Sequence, residues 1–234
     1  MASHVIAVGN VTLAANPVSF ERVLALRDRE EIVLGCVDPE TEERMKAEVD
    51  EALKMRDSLG GVFEVIARGV PPGLGSCAQW DEKLDGRLAQ AVMSIQAVKA
   101  VEIGSGMTNA MAFGSQVHDP IQYDRATARF TRPTNRAGGL EGGMTNGEDV
   151  VVRGYLKPIS SLRQPLESVD LATKEPVKAA YERSDVCVVP AAGVIGEAMV
   201  ALVLARAFVE KFGGDSMGEM RRNYEAYLDQ VRRF

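Results

Sequence analysis

The sequence predicts an α+β fold, and three observations carry the prediction. Val- and Ile-rich stretches at period two, such as residues 62–70, alternate along the chain with stretches at helical period, such as residues 38–55 and 81–94. A long apolar run over residues 188–205 needs a helix buried on most of its faces. A length of 234 residues with 46% apolar and 26% charged side chains is enough for one sizeable core, so residues 1–234 are expected to form a single domain.

The elements follow in order. Residues 4–13 read as a strand. Asn16-Pro17 opens a short helix with Phe20, Val23, Leu24 and Leu26 on its apolar face. Asp38-Pro39-Glu40 supplies an N-cap, a proline at the first helical position and early acids, and the helix carries Met45, Val49, Leu53 and Met55 before stopping near Gly60-Gly61. The strand at 62–70 ends at Pro71-Pro72-Gly73-Leu74-Gly75-Ser76. This glycine loop lacks the third spaced glycine and the following helix of a dinucleotide fingerprint, which excludes a nicotinamide site. Residues 81–94 form a helix through Leu84, Leu88 and Val92, and residues 96–104 the next strand. Between Gly106 and Arg136 no apolar period persists. Arg125, Arg129, Arg132 and Arg136 recur there, but Thr127, Thr131 and Pro133 oppose a helix, so a mobile basic loop is expected, either solvated or ordering over an anionic ligand. A short strand is expected at 166–171, and residues 175–181 are expected to hold a helical turn or a strand. Glu197 interrupts the apolar run of the long helix and keeps it below membrane-spanning length, and an amphipathic helix through Tyr224 and Tyr227 closes the chain.

Composition narrows the function. A net charge of −6 argues against nucleic-acid binding, which needs a basic surface. Cys36, Cys77 and Cys187 fit neither a disulfide framework nor a paired-cysteine metal site, and the first ten residues lack a signal pattern, so a cytoplasmic protein is expected. The two histidines, His4 and His118, stand in no metal spacing.

Residues 135–161 carry the strongest functional signal. Gly138, Gly139, Gly142, Gly143 and Gly147 precede the strand-like Val150-Val151-Val152 and then Lys157-Pro158-Ile159-Ser160-Ser161. Lys157 offers a cation, Pro158 a stiff turn, and the serine hydroxyls with nearby N–H groups an anion-binding concavity. A glycine-rich loop into an edge strand is the plain alternative. Arg183 and Asp185 read either as a weak surface ion pair or as a fixed cation beside a proton-handling carboxylate.

The ordered set Pro71-Pro72-Gly73-Leu74-Gly75, Leu84-Asp85-Gly86-Arg87-Leu88, Met93-Ser94-Ile95-Gln96-Ala97-Val98-Lys99, Asn135-Arg136-Ala137-Gly138-Gly139, Lys157-Pro158-Ile159-Ser160 and Glu182-Arg183-Ser184-Asp185 resembles chorismate synthase. The resemblance implies a β-α-β sandwich, a homotetramer, reduced FMN as cofactor, and loss of phosphate and a proton from 5-enolpyruvylshikimate-3-phosphate to give chorismate. It implies FMN contacts at Gln96, Ala97, Gly142, Lys157, Pro158, Ile159, Ser160, Ser161 and Arg183, with Asp185 as the active-site aspartate. The family's histidine-containing N-terminal motifs have no counterpart in these residues. The expectation is therefore a C-terminal portion truncated at the N-terminus, with impaired turnover, or alternatively a non-catalytic FMN-binding or oligomerising remnant.

Overall fold

The structure, a computed structural model, describes residues 1–14, 17–29, 33–126 and 129–233. Its centre is a five-stranded sheet in the order β2-β1-β3-β9-β4. The strands are β1 (Ala2–Val8), β2 (Val11–Thr12), β3 (Gly61–Ala67), β4 (Val98–Ile103) and β9 (Val150–Leu156). Every pair of neighbours is antiparallel. The expected strand over 4–13 is instead a hairpin, because Gly9 adopts a φ of +53° and turns the chain between β1 and β2.

The helices are α1 (Phe20–Leu24), α2 (Pro39–Met55), α3 (Leu84–Met93), α4 (Gly106–Asn109), α5 (Gly114–Val117), α6 (Val189–Phe212) and α7 (Met217–Arg233). Asn16 lies outside the described residues, and α1 is capped by Ser19, whose Oγ accepts from Arg22 N. For α2, the predicted start holds: Asp38 Oδ2 accepts from Thr41 N at 2.8 Å. Its end is Arg56 in the left-handed region at φ 61°.

One face of the sheet is covered by α3 and α6. Phe63 on β3 fills the space between sheet and helix, and two glycines make room for it. A Cβ at Gly196 of α6 or at Gly154 of β9 would lie 2.5 Å from its ring. Of the expected β-α-β sandwich, the described residues hold one five-stranded sheet with the helical layer on it, and three two-stranded hairpins besides.

Two expectations about α6 are corrected. Glu197 does not shorten it: the helix runs 24 residues and contains an 18-residue stretch with a mean hydropathy of 1.9, long and apolar enough by those measures to cross a membrane. Nor is it buried on most faces. Ala192, Gly193, Gly196, Val200 and Leu204 are buried towards the sheet, whereas Val194 and Leu202 are each 67% exposed.

The segment 106–136 is not one loop. It forms α4, α5 and a hairpin of β5 (Gln122–Asp124) and β6 (Arg129–Thr131); Thr127 lies outside the described residues. Asp119 ties it together, accepting from Thr134 Oγ1 at 2.6 Å, Arg136 N at 2.9 Å and Ala137 N at 2.9 Å. Burial pushes the Asp119 carboxyl up, but these donors and the Arg136 charge more than offset it and hold it below the usual range. The glycine run forms a further hairpin, β7 (Leu140–Glu141) and β8 (Met144–Thr145), and the chain then enters β9, an interior strand rather than an edge. A last hairpin, β10 (Glu167–Val169) and β11 (Pro176–Lys178), stands between β9 and α6.

Candidate functional site

The predicted cation-and-hydroxyl turn leaves the sheet at the end of β9. Lys157 N donates to Ala97 O at 2.9 Å, which joins the two segments expected to contact flavin. Ala97 itself has φ 68°, an uncommon conformation for a residue with a side chain, and β4 begins beside it with a bulge between Val98 and Ala100. Backbone irregularities of this kind concentrate where a site must be shaped.

The turn is pinned from the other side as well. Ser58 Oγ donates to Ile159 O at 2.9 Å. Ser161 Oγ donates to Glu182 O at 2.6 Å and accepts from Glu182 N at 3.0 Å, and Ser184 Oγ donates to Ser161 O at 3.4 Å. Leu59 N donates to Val186 O at 2.8 Å, so the 182–187 segment is fixed against the sheet end. Arg183 and Asp185 are therefore carried to the 157–161 turn by backbone that is already hydrogen-bonded. The Ser161 hydroxyl is spent on this closure, which leaves Ser160 as the exposed hydroxyl of the turn.

Lys157, Arg183 and Asp185 are exposed, and among the described residues none of the three makes an ion pair or a side-chain hydrogen bond. The surface ion-pair reading of Arg183 and Asp185 is thus not realised. Two uncompensated cations and a free carboxylate on a pinned loop are suited to receive a ligand anion and to move a proton.

Gly142 does not join this group within one chain. It stands at the β7–β8 tip beside Gly143, whose carbonyl accepts from Leu84 N at the start of α3, whereas Ala97 lies beyond the end of that helix. Ten residues of helix separate them by about 15 Å. Gly138, Gly139 and Gly143 each have neighbouring backbone within 2.7 Å of where a Cβ would be, while a Cβ at Gly142 would meet nothing within 4 Å. Gly142 therefore has free surface above it.

The sequence reading missed a buried polar row. His4, Glu64, Arg153 and Glu102 stand side by side in register across β1, β3, β9 and β4. His4 Nε2 lies 3.0 Å from Glu64 Oε1, Arg153 Nε donates to Glu64 Oε2 at 2.6 Å, and Arg153 Nη1 donates to Glu102 Oε2 at 3.2 Å. Tyr155 Oη also donates to Glu102. Burial raises the Glu64 carboxyl, yet the His4 hydrogen bond and the Arg153 charge bring it below the usual value; burial and Glu102 push the Tyr155 phenol up to about 12. In the sequence these residues look like the solvent-facing positions of alternating strands. The only signal was that four polar residues fall in step on four neighbouring strands, which requires knowing the pairing.

The family profile described as chorismate synthase matches residues 1–209. The chain belongs to the chorismate synthase family. A chorismate synthase of Solibacter usitatus is 65% identical over 99% of this chain and 59% of its own length. One of Acidobacterium capsulatum is 63% identical over 100% of this chain and 61% of its own length. A solved structure entitled "Crystal Structure of Chorismate Synthase" superposes with a TM-score of 0.81 at 42% identity, covering 100% of this chain and 63% of that one. The chain thus spans about three fifths of the length of the curated relatives it matches, and its fold is of the chorismate synthase type.

Proposed function

We propose that this chain carries the flavin-facing part of a cytoplasmic phosphate lyase that converts 5-enolpyruvylshikimate-3-phosphate to chorismate and phosphate. The observation that supports it best is a pair of cations without a side-chain partner among the described residues: Lys157, on a turn whose backbone bonds to Ala97, and Arg183, on the segment that the Ser161 hydroxyl ties to that turn through Glu182. These residues fit a phosphate-bearing cofactor. Lys157 and Arg183 would take the phosphate of reduced FMN by charge-assisted hydrogen bonds, with Ser160 as a further donor and Gln96, Ala97, Pro158 and Ile159 shaping the approach. Ser161 acts through the loop closure rather than through the ligand, and Gly142, distant from the turn within one chain, would contribute open backbone from a neighbouring copy in the proposed assembly. When bound, the reduced flavin supplies electron density for an elimination that the protein side chains alone would not promote.

In the overall reaction a C–O bond to phosphate breaks, a C–H proton leaves and a new C=C bond forms. Asp185, exposed and without an ion pair or side-chain hydrogen bond among the described residues, would accept or relay that proton. Residues 1–234 are read as one domain, supported by a single core cluster reaching from Ala2 to Phe212. A homotetramer is the proposed assembly, and the exposed apolar side of α6, with Val194, Leu202 and Val209, supports association.

Anaerobic flavin titration tests the reading. Lys157→Ala should weaken binding of reduced FMN by roughly 1 to 3 kcal/mol, the scale of a lost hydrogen bond to a charged group. In any assembly that turns over, Asp185→Asn should leave that affinity intact and lower the rate by about a hundred- to ten-thousand-fold. Unchanged affinity in Lys157→Ala would remove the phosphate assignment.

A further inference from the structure

A pocket of about 460 Å³ lies at the other end of the sheet from the Lys157 turn, between the β5–β6 hairpin, the turns at 69–72 and 146–148, and α7. It flanks the exit from β3 and the entry to β9, while Lys157 follows the exit from β9; the seven residues of that strand set the two sites about 20 Å apart.

Three of its walls are rigid. Tyr227 Oη donates to Pro72 O at 2.9 Å, the Thr145 hydroxyl donates to Pro71 O at 2.6 Å, and Gly73 N donates to Thr145 O at 2.7 Å. On α7, Tyr224 is held by ring contacts with Phe208 and Phe212 at 5.1 and 5.3 Å. The fourth wall is the hairpin. Tyr123 and Phe130 face each other in register with ring centroids 5.1 Å apart, yet they remain 52% and 56% exposed. Large rings held beside a cavity and left half uncovered leave apolar surface for a guest to bury.

The polar lining of the pocket is rich in arginine, and Asp124 stands opposite Arg129 in the hairpin register. Arg129, Arg132 and Arg232 line it against one carboxylate, Glu148. Arg132 is paired with Glu141 at 2.7 Å and Arg232 with Asp229 at 3.0 Å. Arg129 has no ion pair or side-chain hydrogen bond among the described residues, and the buried Arg132 Nε has no hydrogen-bond partner among them either. An inorganic anion would satisfy the guanidinium and leave the rings wet, whereas a neutral apolar guest would leave the guanidinium unmatched. A ring bearing a carboxylate satisfies both, because an arginine fork matches a carboxylate in two parallel hydrogen bonds.

We propose that this pocket is a second ligand site, separate from the Lys157 turn, that takes small aromatic carboxylates, with the ring against Tyr123, Phe130 and Val231 and the carboxylate on Arg129. Benzoate is the probe, titrated into the isotope-labelled chain and followed by amide and arginine Nε–H shifts. Benzoate should bind at millimolar concentration or below and shift residues of the hairpin and α7, while acetate, lacking the ring, and benzyl alcohol, lacking the charge, bind roughly tenfold more weakly. Arg129→Ala and Val231→Glu, both at exposed positions, should each weaken benzoate by about tenfold, and Lys157→Ala should leave it unchanged. Circular dichroism confirms that each variant is folded. Absent benzoate binding, equal binding of benzyl alcohol, or benzoate affinity indifferent to both Arg129→Ala and Val231→Glu would each overturn the proposal.

Discussion

Replacing Arg153 by Met keeps most of the side-chain volume and removes the only guanidinium in the buried row. The Arg153 side chain is 8% exposed, between Glu64 at 2% and Glu102 at 3%. At about 4 Å and an effective dielectric constant near 20, each carboxylate contact represents about 4 kcal/mol of gross attraction. Most of that offsets desolvation, so the net cost of breaking a buried pair is about 3 to 5 kcal/mol. His4 stays beside Glu64 in the variant and compensates part of the loss, which puts the expected destabilisation near the lower end, about 3 kcal/mol. Urea denaturation at neutral pH measures it. The sign of the pH dependence gives a second check. Glu64 titrates below its ordinary value in the folded protein, so its contribution is present above the unfolded value of about 4.3 and is lost as pH falls through the lower folded value. Arg153→Met removes the attraction that lowers it, and the gap between wild type and variant should narrow as the solution is acidified below about pH 4. A loss under about 1 kcal/mol, or a gap that does not change with pH, would refute the view that this row is a tightly coupled buried network.

Other expectations are tested by similar means. Thr145→Val should cost about 1 to 3 kcal/mol in chemical denaturation, because the buried hydroxyl donates to Pro71 O and accepts from Leu74 N at 2.8 Å. Gly196→Val should destabilise by about 1 to 3 kcal/mol or more and perturb the near-ultraviolet spectrum, since its Cβ would lie 2.5 Å from the Phe63 ring. Asp119→Asn should lower stability at neutral pH and flatten its acid dependence: the depressed Asp119 carboxyl contributes above its unfolded value near pH 4, and that contribution is lost as pH falls through the folded value.

How much of this fold can be read from sequence depends on whether local chemistry settles the question. Asp38-Pro39 states the start of α2 almost by itself, since the cap, the fixed proline φ and the early acids all act within one turn. The alternation over residues 62–70 likewise yields β3. The side of α6 that packs on the sheet is a different kind of question. With apolar residues all round, period reveals nothing, and the choice falls to Gly193 and Gly196, which are small enough for Phe63 to approach. That is a property of the partner surface. The row from His4 to Glu102 is hidden for the same reason: each residue is locally an ordinary polar position, and only antiparallel register places opposite charges side by side.

The site divides along the same line. The glycine run suggested a backbone kept free for a ligand, but Gly138, Gly139 and Gly143 are required by close backbone contacts, and only the tip at Gly142 faces open space. At residues 157–161, by contrast, the turn itself is legible because cation, proline and hydroxyls are contiguous, and it stands at the end of β9. What the sequence could not supply is the role of each hydroxyl. Ser161 closes the loop on Glu182, and through that closure Arg183 and Asp185 reach the turn. On the proposed flavin assignment, loss of the Ser161 hydroxyl should act on flavin binding by loosening Arg183, whereas loss of the Lys157 amine should act on the anion directly. The two substitutions should therefore differ in salt dependence: added salt screens the exposed Lys157 contribution, and has little hold over a loop held by neutral hydrogen bonds.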